Sequence, residues 1–439
     1  MASFDNTLGR SYAEIGQFAS YARRKIQARR DSRKAVVYPF GAVDMFGHVW
    51  FDAHALHAVY PTSEYQVFFF RPPLPAKFQN MLFDLPCRGF EIIEVDDFSR
   101  EIFFRLSATV FYDRPDFQFG DITFVFGGAS NGARHLYRRE ARTRPYRATM
   151  SLTDEEKEQG ARLVESFGLD RSRPFVVLHA RETGYNPAHW HNAFRDCDIA
   201  TYRPAIAALV EQGFSVVRIG DPSMKPIGLD LRHVHDAVTD KHPMLHPWLV
   251  QHCAFFVHCF SGPLELARAY GRPTLGINCH PGDLYPPEMG QVYAFKRFEE
   301  ISTGRMLDFA EIIGRRFTML WHQAQLDNQG LRLVDNTPEE ITEACLDFAA
   351  TLESGPPRQP RFEEFCAKES EVRRASGSKL PWERDFFMDV PMTSMAPAFM
   401  RRQPDYLDRD PWPLATRPPP PEPMSTVGGG TIAAIGKKP

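Results

Sequence analysis

Short apolar runs alternate along this chain with longer stretches in which apolar and charged residues recur at helical spacing. Apolar runs of this length are typical of strands buried on both faces of a parallel sheet, with helices covering each face. The alternation occurs in two series, one over residues 35–110 and one from residue 151 onward. Each series therefore predicts a doubly wound α/β unit.

The first series predicts three strands and two helices. The strands are expected at 35–39, 65–71 and 91–95, and the helices at 48–59 and 98–110. The stretch 116–147, rich in aromatic, glycine and arginine residues, is expected to close this unit. Its run from Gly127 to Gly132 lacks the lysine of a phosphate-binding P-loop and the spacing of a dinucleotide fingerprint, so it is interpreted as a turn.

The second series is the more regular of the two. Ser151 to Asp154 is a capping-type start for a helix that runs to Phe167. The strands that follow are predicted at 175–179, 214–219, 254–258 and 274–278. The predicted helices lie at 199–212, 244–252, 263–270, 306–315, 338–352 and 361–374.

These patterns divide the chain into five parts. They are an N-terminal basic helix or arm (1–34), a first α/β domain (35–150), a second α/β domain (151–355), a helical segment (356–412) and a tail (413–439). The tail has a four-proline run, a three-glycine run and no periodicity, which predicts disorder. Pattern alone leaves open whether the two α/β halves are unrelated modules or face each other across a cleft.

Composition narrows the class of protein. The 439 residues are 43% hydrophobic and carry a formal net charge of -3, so no whole-chain attraction to nucleic acid or membrane is expected. Seven cysteines without CxxC spacing argue against a disulfide framework or structural zinc, and together with the lack of a long apolar run they favour the cytoplasm.

One local exception to this charge balance lies near the N-terminus. The cluster consists of Arg23, Arg24, Lys25, Arg29, Arg30, Arg33 and Lys34. It is interpreted either as a solvated helix face or, over residues 23–34, as a peripheral contact with anionic lipid at the inner face of a membrane.

Charged and special residues stand where three predicted strands end. His179 and Arg181 follow the first strand of the second series, Arg218, Gly220 and Asp221 the next, and Ser261, Gly262 and Pro263 a third. Carboxyl ends of parallel strands line the ligand crevice, and arginine suits a phosphate group. Backbone N–H groups at the start of a helix attract anions as well.

Each of these residues also has a structural interpretation. Arg181 could pair with Glu182 or Asp196, and Arg218 could pair with Asp221 or Asp236. The Ser261 turn could begin a helix for stability alone. In the first series, Asp44 and His48 follow the first strand, where they could accept a proton from a hydroxyl or could simply cap and pack.

Metal and covalent chemistry have weaker signals. His189 and His191 form an HxH pair, and Asp196 with Asp198 matches the acidic DxD motif, as does Asp408 with Asp410. Motifs this short arise by chance, so no metal site is expected. No GxSxG elbow occurs, which gives no support to a serine nucleophile.

In order and spacing, several motifs resemble a family of bacterial glycosyltransferases from surface-polysaccharide gene clusters. The similarity lies in Arg181, Glu182 and Tyr185, in Arg195 to Tyr202, in Gly213 to Gly220, in Asp236-Ala237, in Ser261-Gly262, in Pro273 and Asn278, in Lys296, and in the stretches 307–312, 336–341 and 395–407. It covers about residues 150–410, and the first domain only around Gly47-His48. Glu182 stands where the family usually has aspartate.

The resemblance implies the GT-B architecture, in which two Rossmann-like domains face each other across a cleft. It implies transfer of a sugar from a nucleotide-sugar donor to a glycan or lipid-linked acceptor, without cofactor or metal. Arg181, Arg218 and Lys296 would offset charge on the leaving diphosphate, with Ser261 and Gly262 beside it.

The resemblance also suggests roles for the remaining residues. Asn278 and Tyr185 would contact base or ribose, and Asp44 would be the base. An epimerase or hydrolase on the same scaffold, or a non-catalytic nucleotide- or glycan-binding protein, are the alternatives.

Overall fold

The computed structural model describes residues 2–43, 45–74, 81–107, 116–126, 148–182, 192–240, 242–281, 291–315, 317–320, 322–355, 359–364 and 394–409. Within these ranges the chain forms two α/β domains, each built on a mainly parallel sheet, together with a small antiparallel sheet. The prediction of two doubly wound domains is confirmed.

The first domain is organised by a five-stranded sheet of order β3-β2-β1-β5-β4. Its strands are β1 (Lys34–Pro39), β2 (Tyr65–Arg71), β3 (Glu91–Glu94), β4 (Asp116–Phe119) and β5 (Ile122–Val125). All neighbours are parallel except β4, which runs antiparallel to β5.

Helices cover both faces of this sheet, which explains its continuous apolar strands. Alternate residues of β1 point to opposite faces: Ala35 and Val37 pack with one cluster, Val36 and Tyr38 with the other. The first-domain helices are α1 (Ala2–Ile26), a 3₁₀ turn (Gln27–Arg29), α2 (Phe46–Val59), α3 (Met81–Asp84) and α4 (Arg100–Ser107). Helices α1 and α4 lie on the first face, α2 and α3 on the second.

The N-terminal segment predicted as a basic helix or arm contains helix α1, which packs on the sheet of the first domain. Phe18 and Ala22 are fully buried against the sheet. Most of the basic cluster that follows is engaged within the domain. Lys25 binds Asp96 at 2.7 Å, Arg30 pairs with Asp121, Arg33 with Asp31, and Lys34 lies over the Tyr65 ring. Internal pairing favours the interpretation of these residues as a solvated face.

The second domain contains a seven-stranded parallel sheet of order β15-β11-β10-β9-β6-β7-β8. Its strands are β6 (Phe175–His179), β7 (Ser215–Arg218), β8 (Val234–Asp236), β9 (Phe255–His258), β10 (Thr274–Cys279), β11 (Val292–Phe295) and β15 (Ser394–Met395). A three-stranded antiparallel sheet lies beside it and consists of β12 (Arg297–Glu300), β13 (Arg305–Met306) and β14 (Leu331–Val334).

The helices of this domain confirm most of the predicted pattern. They are α5 (Asp154–Ser166), α6 (Arg203–Glu211), α7 (Leu245–His252), α8 (Leu264–Ala269), α9 (Phe309–Gly314), α10 (Gln323–Asn328), α11 (Pro338–Ala350) and α12 (Pro397–Arg402), with 3₁₀ turns at Ile199–Tyr202, Phe317–Met319 and Pro404–Leu407. The capped start before α5 is confirmed: the Thr153 hydroxyl accepts from the Glu156 N–H, and the Glu156 carboxylate accepts from the Thr153 N–H.

The helix predicted over 306–315 is present as α9, and the structure differs from the sequence-based prediction in two details of the C-terminal half. Residues 305–306 form a strand rather than the start of a helix, because Asp308 and Glu311 cap α9 at Phe309. The segment after residue 356 is not a separate unit, since β15 pairs with β11 and Phe399 lies in the core of the second domain. The tail 413–439 and most of the predicted 361–374 helix lie outside the described residues.

The packing of α5 on α7 provides a test of this fold. A Cβ at Gly160 would overlap the Trp248 side chain, whereas one at Gly16 in α1 would meet nothing within 4 Å. We expect Gly160→Ala to lower the free energy of unfolding by about 1–3 kcal/mol through overpacking. The control Gly16→Ala should instead raise it by roughly 0.5–1 kcal/mol through helix propensity. Equilibrium urea unfolding measures both, and equal effects would contradict the packing.

Candidate functional site

The winding of the second sheet reverses between β6 and β9. The chain proceeds outward from β6 through β7 to β8, then returns to the other side of β6 with β9, β10 and β11. His179, the last residue of β6, pairs in register with His258, the last residue of β9. Ligands of doubly wound sheets bind beyond the carboxyl ends of strands at such a reversal. The loops that leave these two residues therefore line the first candidate crevice.

Two polar side chains meet at this position. The His179 Nδ1 lies 3.1 Å from the Ile219 carbonyl oxygen, and its Nε2 lies 3.0 Å from the Ser261 Oγ. The ring is buried, while Ser261 is partly exposed. Burial, helped by the nearby Arg218, His246 and Arg181, lowers the pKa of His179 to about 4. The imidazole is consequently neutral near pH 7.

The first sheet brings its own reversal point to the same place. The sheet winds from β1 to β2 and β3 on one side and has β5 on the other. Residues after β1 lead into α2, whose first turn contains Gly47. A Cβ added to Gly47 would lie 2.7 Å from the Gly262 Cα, and one on Gly262 would lie 3.2 Å from the Gly47 nitrogen. The backbones of the two domains are therefore in contact at their crevice ends, and a side chain at position 47 would collide with the Gly262 backbone.

This contact changes the interpretation of the turn at Ser261, Gly262 and Pro263. Pro263 is the N-cap and α8 has only six residues, so its dipole is short. Phe260, with φ of 52°, makes the sharp bend. One side of Gly262 is covered by Gly47 and Phe46. The turn joins the domains as well as bordering the crevice.

Arg218 does not face the crevice, contrary to its predicted role on a leaving diphosphate. It is fully buried at the end of β7. Its guanidinium donates to the Glu182 carboxylate at 3.1 Å and to the Lys225 carbonyl, and lies 3.6 Å from the Asp236 carboxylate. A buried charge needs such partners, so the structural alternative describes this residue.

Arg181 is paired as well, but it stays on the loop at the reversal point. Its guanidinium binds the Asp196 carboxylate and donates to the Asn192 carbonyl at 3.1 Å. Its side chain retains 10% exposure. Burial raises the pKa of Asp196 despite the opposing pull of Arg181 and Lys296. Asp196 therefore serves as the partner of Arg181.

Lys296 and Asn278 are buried and bonded to other parts of the second domain. The Lys296 Nζ donates to the Asp196 carbonyl and to the Asp335 carboxylate, both at 2.7 Å. Asn278, with φ of 57°, exchanges hydrogen bonds with Asn336: its N–H donates at 3.0 Å and its Oδ1 accepts at 2.5 Å. Asn278 is 1% exposed, and its polar groups are used within the second domain.

Gly220 and Asp221 form a tight turn after β7. The Asp221 carboxylate accepts from the Ser223 N–H at 2.9 Å. Gly220 packs closely on Met224 and on Val238, which a Cβ would approach to 3.2 Å. Both residues therefore belong to the packed turn at the edge of the sheet.

Several predicted residues cannot be placed. Asp44, Tyr185, His189, His191 and Asp410 lie outside the described residues. His48 lies in the first turn of α2, next to Gly47, and is partly exposed.

The described part of the chain also bears on metal binding. Among its residues no group of three histidine, cysteine or carboxylate side chains is arranged to hold a metal ion. Asp198 caps the Ile199–Tyr202 turn by accepting from the Ala200 N–H.

Sequence reasoning missed a buried polar cluster between the domains. His54 of α2 lies 2.6 Å from the Thr149 hydroxyl through its Nδ1, and Arg268 of α8 binds Glu265 at 2.9 Å. Burial, with a contribution from Arg268, lowers the pKa of His54 to about 3. A signal existed in His54 and Asp52, polar residues inside a helix of otherwise apolar character.

No protein-family model matches the chain, and no curated protein matches it. Among solved structures, a glycosyl transferase of family 9 from Veillonella parvula is 12% identical, with a TM-score of 0.45, covering 74% of this chain and 98% of that one.

Two further solved structures are similar to smaller degrees. The ADP-heptose heptosyltransferase II of E. coli is 14% identical with a TM-score of 0.35, covering 60% of this chain and 90% of that one. A UDP-N-acetylglucosamine 2-epimerase is 11% identical with a TM-score of 0.31, covering 75% and 99%. At these values the similarity does not extend to an activity. In the described ranges, no helix has the length and apolar character needed to cross a membrane.

The neutral His179 predicts a pH dependence of stability. An unfolded imidazole takes up a proton below its ordinary pKa of 6.5, whereas the folded one resists protonation down to about 4. The neutral ring thus contributes its full stabilisation above pH 6.5. Between pH 6.5 and about 4 this contribution to the free energy of unfolding falls by about 1.4 kcal/mol per pH unit. Urea unfolding at several pH values should show that the free energy of unfolding of His179→Gln changes less steeply with pH than that of the wild type, by this amount. An unchanged slope would show that the ring is protonated when folded.

Proposed function

We propose that this chain is a glycosyltransferase that moves a sugar from a nucleotide-sugar donor to a hydroxyl of a glycan or lipid-linked acceptor. The observation that carries the proposal is the meeting of the two reversal points, where Gly47 of the first domain contacts Gly262 of the second. Each sheet contributes its own ligand crevice to one place, which suits a reaction that joins two substrates.

The donor is assigned to the second domain. The crevice at the reversal point of its sheet is bordered by His179, Arg181 and Ser261. Arg181 is the cation assigned to the leaving diphosphate, because it alone of the three candidate cations lies on the loop that leaves the reversal point and keeps some exposure.

Lys296 and Arg218 act by holding other groups. Lys296 binds the carbonyl of Asp196, whose carboxylate binds Arg181. Arg218 fixes Glu182, the next residue along the loop. These two cations therefore position the site instead of contacting the diphosphate.

The acceptor is assigned to the first domain. Asp44 and His48 follow β1 and flank Gly47 in sequence, so either could take the proton of the acceptor hydroxyl. Metal-independent transfer is proposed because both carboxylates of this DxD motif already have partners in the protein. Asp196 binds Arg181, and Asp198 caps the 3₁₀ turn at Ile199–Tyr202.

A panel of nucleotide sugars tests the donor assignment. A donor at 100 times its dissociation constant should add about 2.7 kcal/mol of stability, read as a rise in melting temperature that EDTA does not abolish. Arg181→Gln should reduce this ligand-induced rise, while Arg162→Gln, on an exposed face of α5, should not. If UDP-, GDP-, ADP- and CMP-linked sugars all fail to shift the wild type, the proposal is wrong. Turnover without any acceptor would instead favour an epimerase or hydrolase.

The glycine contact provides a second test. Gly47→Ala forces the first domain away from the Gly262 turn, because the new Cβ would meet a backbone atom at 2.7 Å. We expect donor binding to change by less than about twofold and the transfer rate to fall by about 100-fold, the scale of an ångström-sized misalignment. Donor titration and initial rates separate the two effects. An equal loss of binding and rate would place the donor across both domains.

A further inference from the structure

The direction of the hydrogen bond between Ser261 and His179 is fixed by the other partner of His179. The Ile219 carbonyl oxygen, 3.1 Å from the His179 Nδ1, can only accept a hydrogen bond. The Nδ1 must therefore carry the ring proton. Because the imidazole is neutral, its Nε2 then offers a lone pair and no hydrogen.

That lone pair determines where the Ser261 proton goes. The Ser261 Oγ lies 3.0 Å from the Nε2, so its single O–H must donate to the buried ring. Only oxygen lone pairs remain for other partners. Ser261 is partly exposed on the turn at the reversal point, opposite Gly47, so these lone pairs are what the side chain offers a ligand.

We propose that Ser261 is a specificity-determining residue whose hydroxyl oxygen accepts a hydrogen bond from a hydroxyl of the nucleotide sugar, and that it does not donate to the diphosphate. This inference rests on the proposed function, which supplies the class of ligand. The diphosphate of a nucleotide sugar is esterified at both ends and carries no hydrogen at neutral pH, whereas ribose and sugar hydroxyls do. His179 is the positioning residue that imposes this preference.

Because its proton is held by His179, Ser261 can bind the hydroxyl groups of the nucleotide sugar but cannot donate to its diphosphate. A serine hydroxyl that is free to rotate would bind phosphate as readily as sugar. Here the buried ring removes that choice. The diphosphate must obtain its hydrogen bonds from other groups, such as Arg181 and backbone N–H donors.

Three kinds of probe distinguish these contacts: inorganic pyrophosphate, which has no ribose or sugar hydroxyl, the free nucleoside diphosphates UDP, GDP and ADP, and their glucose or mannose conjugates. Titration calorimetry of Ser261→Ala should show about fivefold weaker binding of whichever hydroxyl-bearing probe contacts Ser261, with pyrophosphate affinity unchanged. If affinity is already lost for the nucleoside diphosphates, a ribose hydroxyl donates the hydrogen bond to Ser261. If it is lost only for the sugar conjugates, a hydroxyl of the transferred sugar donates it. Ser172→Ala, exposed at the opposite edge of the sheet, is the matched control and should change nothing.

The variant His179→Asn tests the positioning role. Asparagine can keep the N–H that donates to Ile219 but is too short to accept from Ser261, which frees the serine proton. We expect this variant to lose sugar-nucleotide affinity as Ser261→Ala does, with no further loss in the double variant, and to bind pyrophosphate at least as well as the wild type. Melting curves verify that each variant is folded.

Imidazole nitrogen chemical shifts provide a readout that needs no ligand. The His179 Nδ1 should carry the proton and the Nε2 should be bare in the wild type. A protonated Nε2, or a Ser261→Ala variant that loses pyrophosphate affinity or loses no affinity for any probe, overturns the inference while leaving the proposed function intact. A wild type that binds none of the probes overturns both.

Discussion

The architecture of the crevice edge depends on neutralising one buried positive charge. Arg218 ends a strand inside the second sheet with no exposed surface, and it is held by Glu182, Asp236 and a carbonyl of the following loop. Loss of one partner from such a group typically costs about 3–5 kcal/mol, so the loops after β6 and β7 and the short strand β8 are tied together. The positions of His179 and Arg181 follow from that connection.

A cation next to a predicted ligand site need not touch the ligand. Arg181 and Arg218 were predicted as diphosphate contacts from their positions at strand ends, and Lys296 from the family resemblance, yet Arg218 and Lys296 bind other groups of the protein. Lys296 reaches Asp196, and Arg218 reaches Asp236. Their charges are used to fix loops, and the chemistry proposed for the site is left to fewer groups, chiefly Arg181, Ser261 and the residues after β1.

The sequence allowed the two mainly parallel sheets to be predicted because their strands are short apolar runs that alternate with amphipathic helices, as in α5 and β6. It did not allow β12 to be found, because Arg297, Glu299 and Glu300 leave Phe298 as the single apolar residue of that strand. Partners of Arg218 and Lys296 could not be chosen either. A linear pattern shows which side chains carry charge, but the pairing of Lys296 with Asp196, 100 positions away, depends on the folded loops.

The last strand of the large sheet is supplied by residues 394–395, far along the chain from its neighbour β11. Together with Phe399 and Tyr406, it seals apolar surface of the second domain. A ribosome must therefore polymerise nearly the whole described chain before that surface can be covered. Until then the nascent polypeptide presents an open strand edge beside uncovered aromatic rings, the combination that invites chaperone capture or self-association.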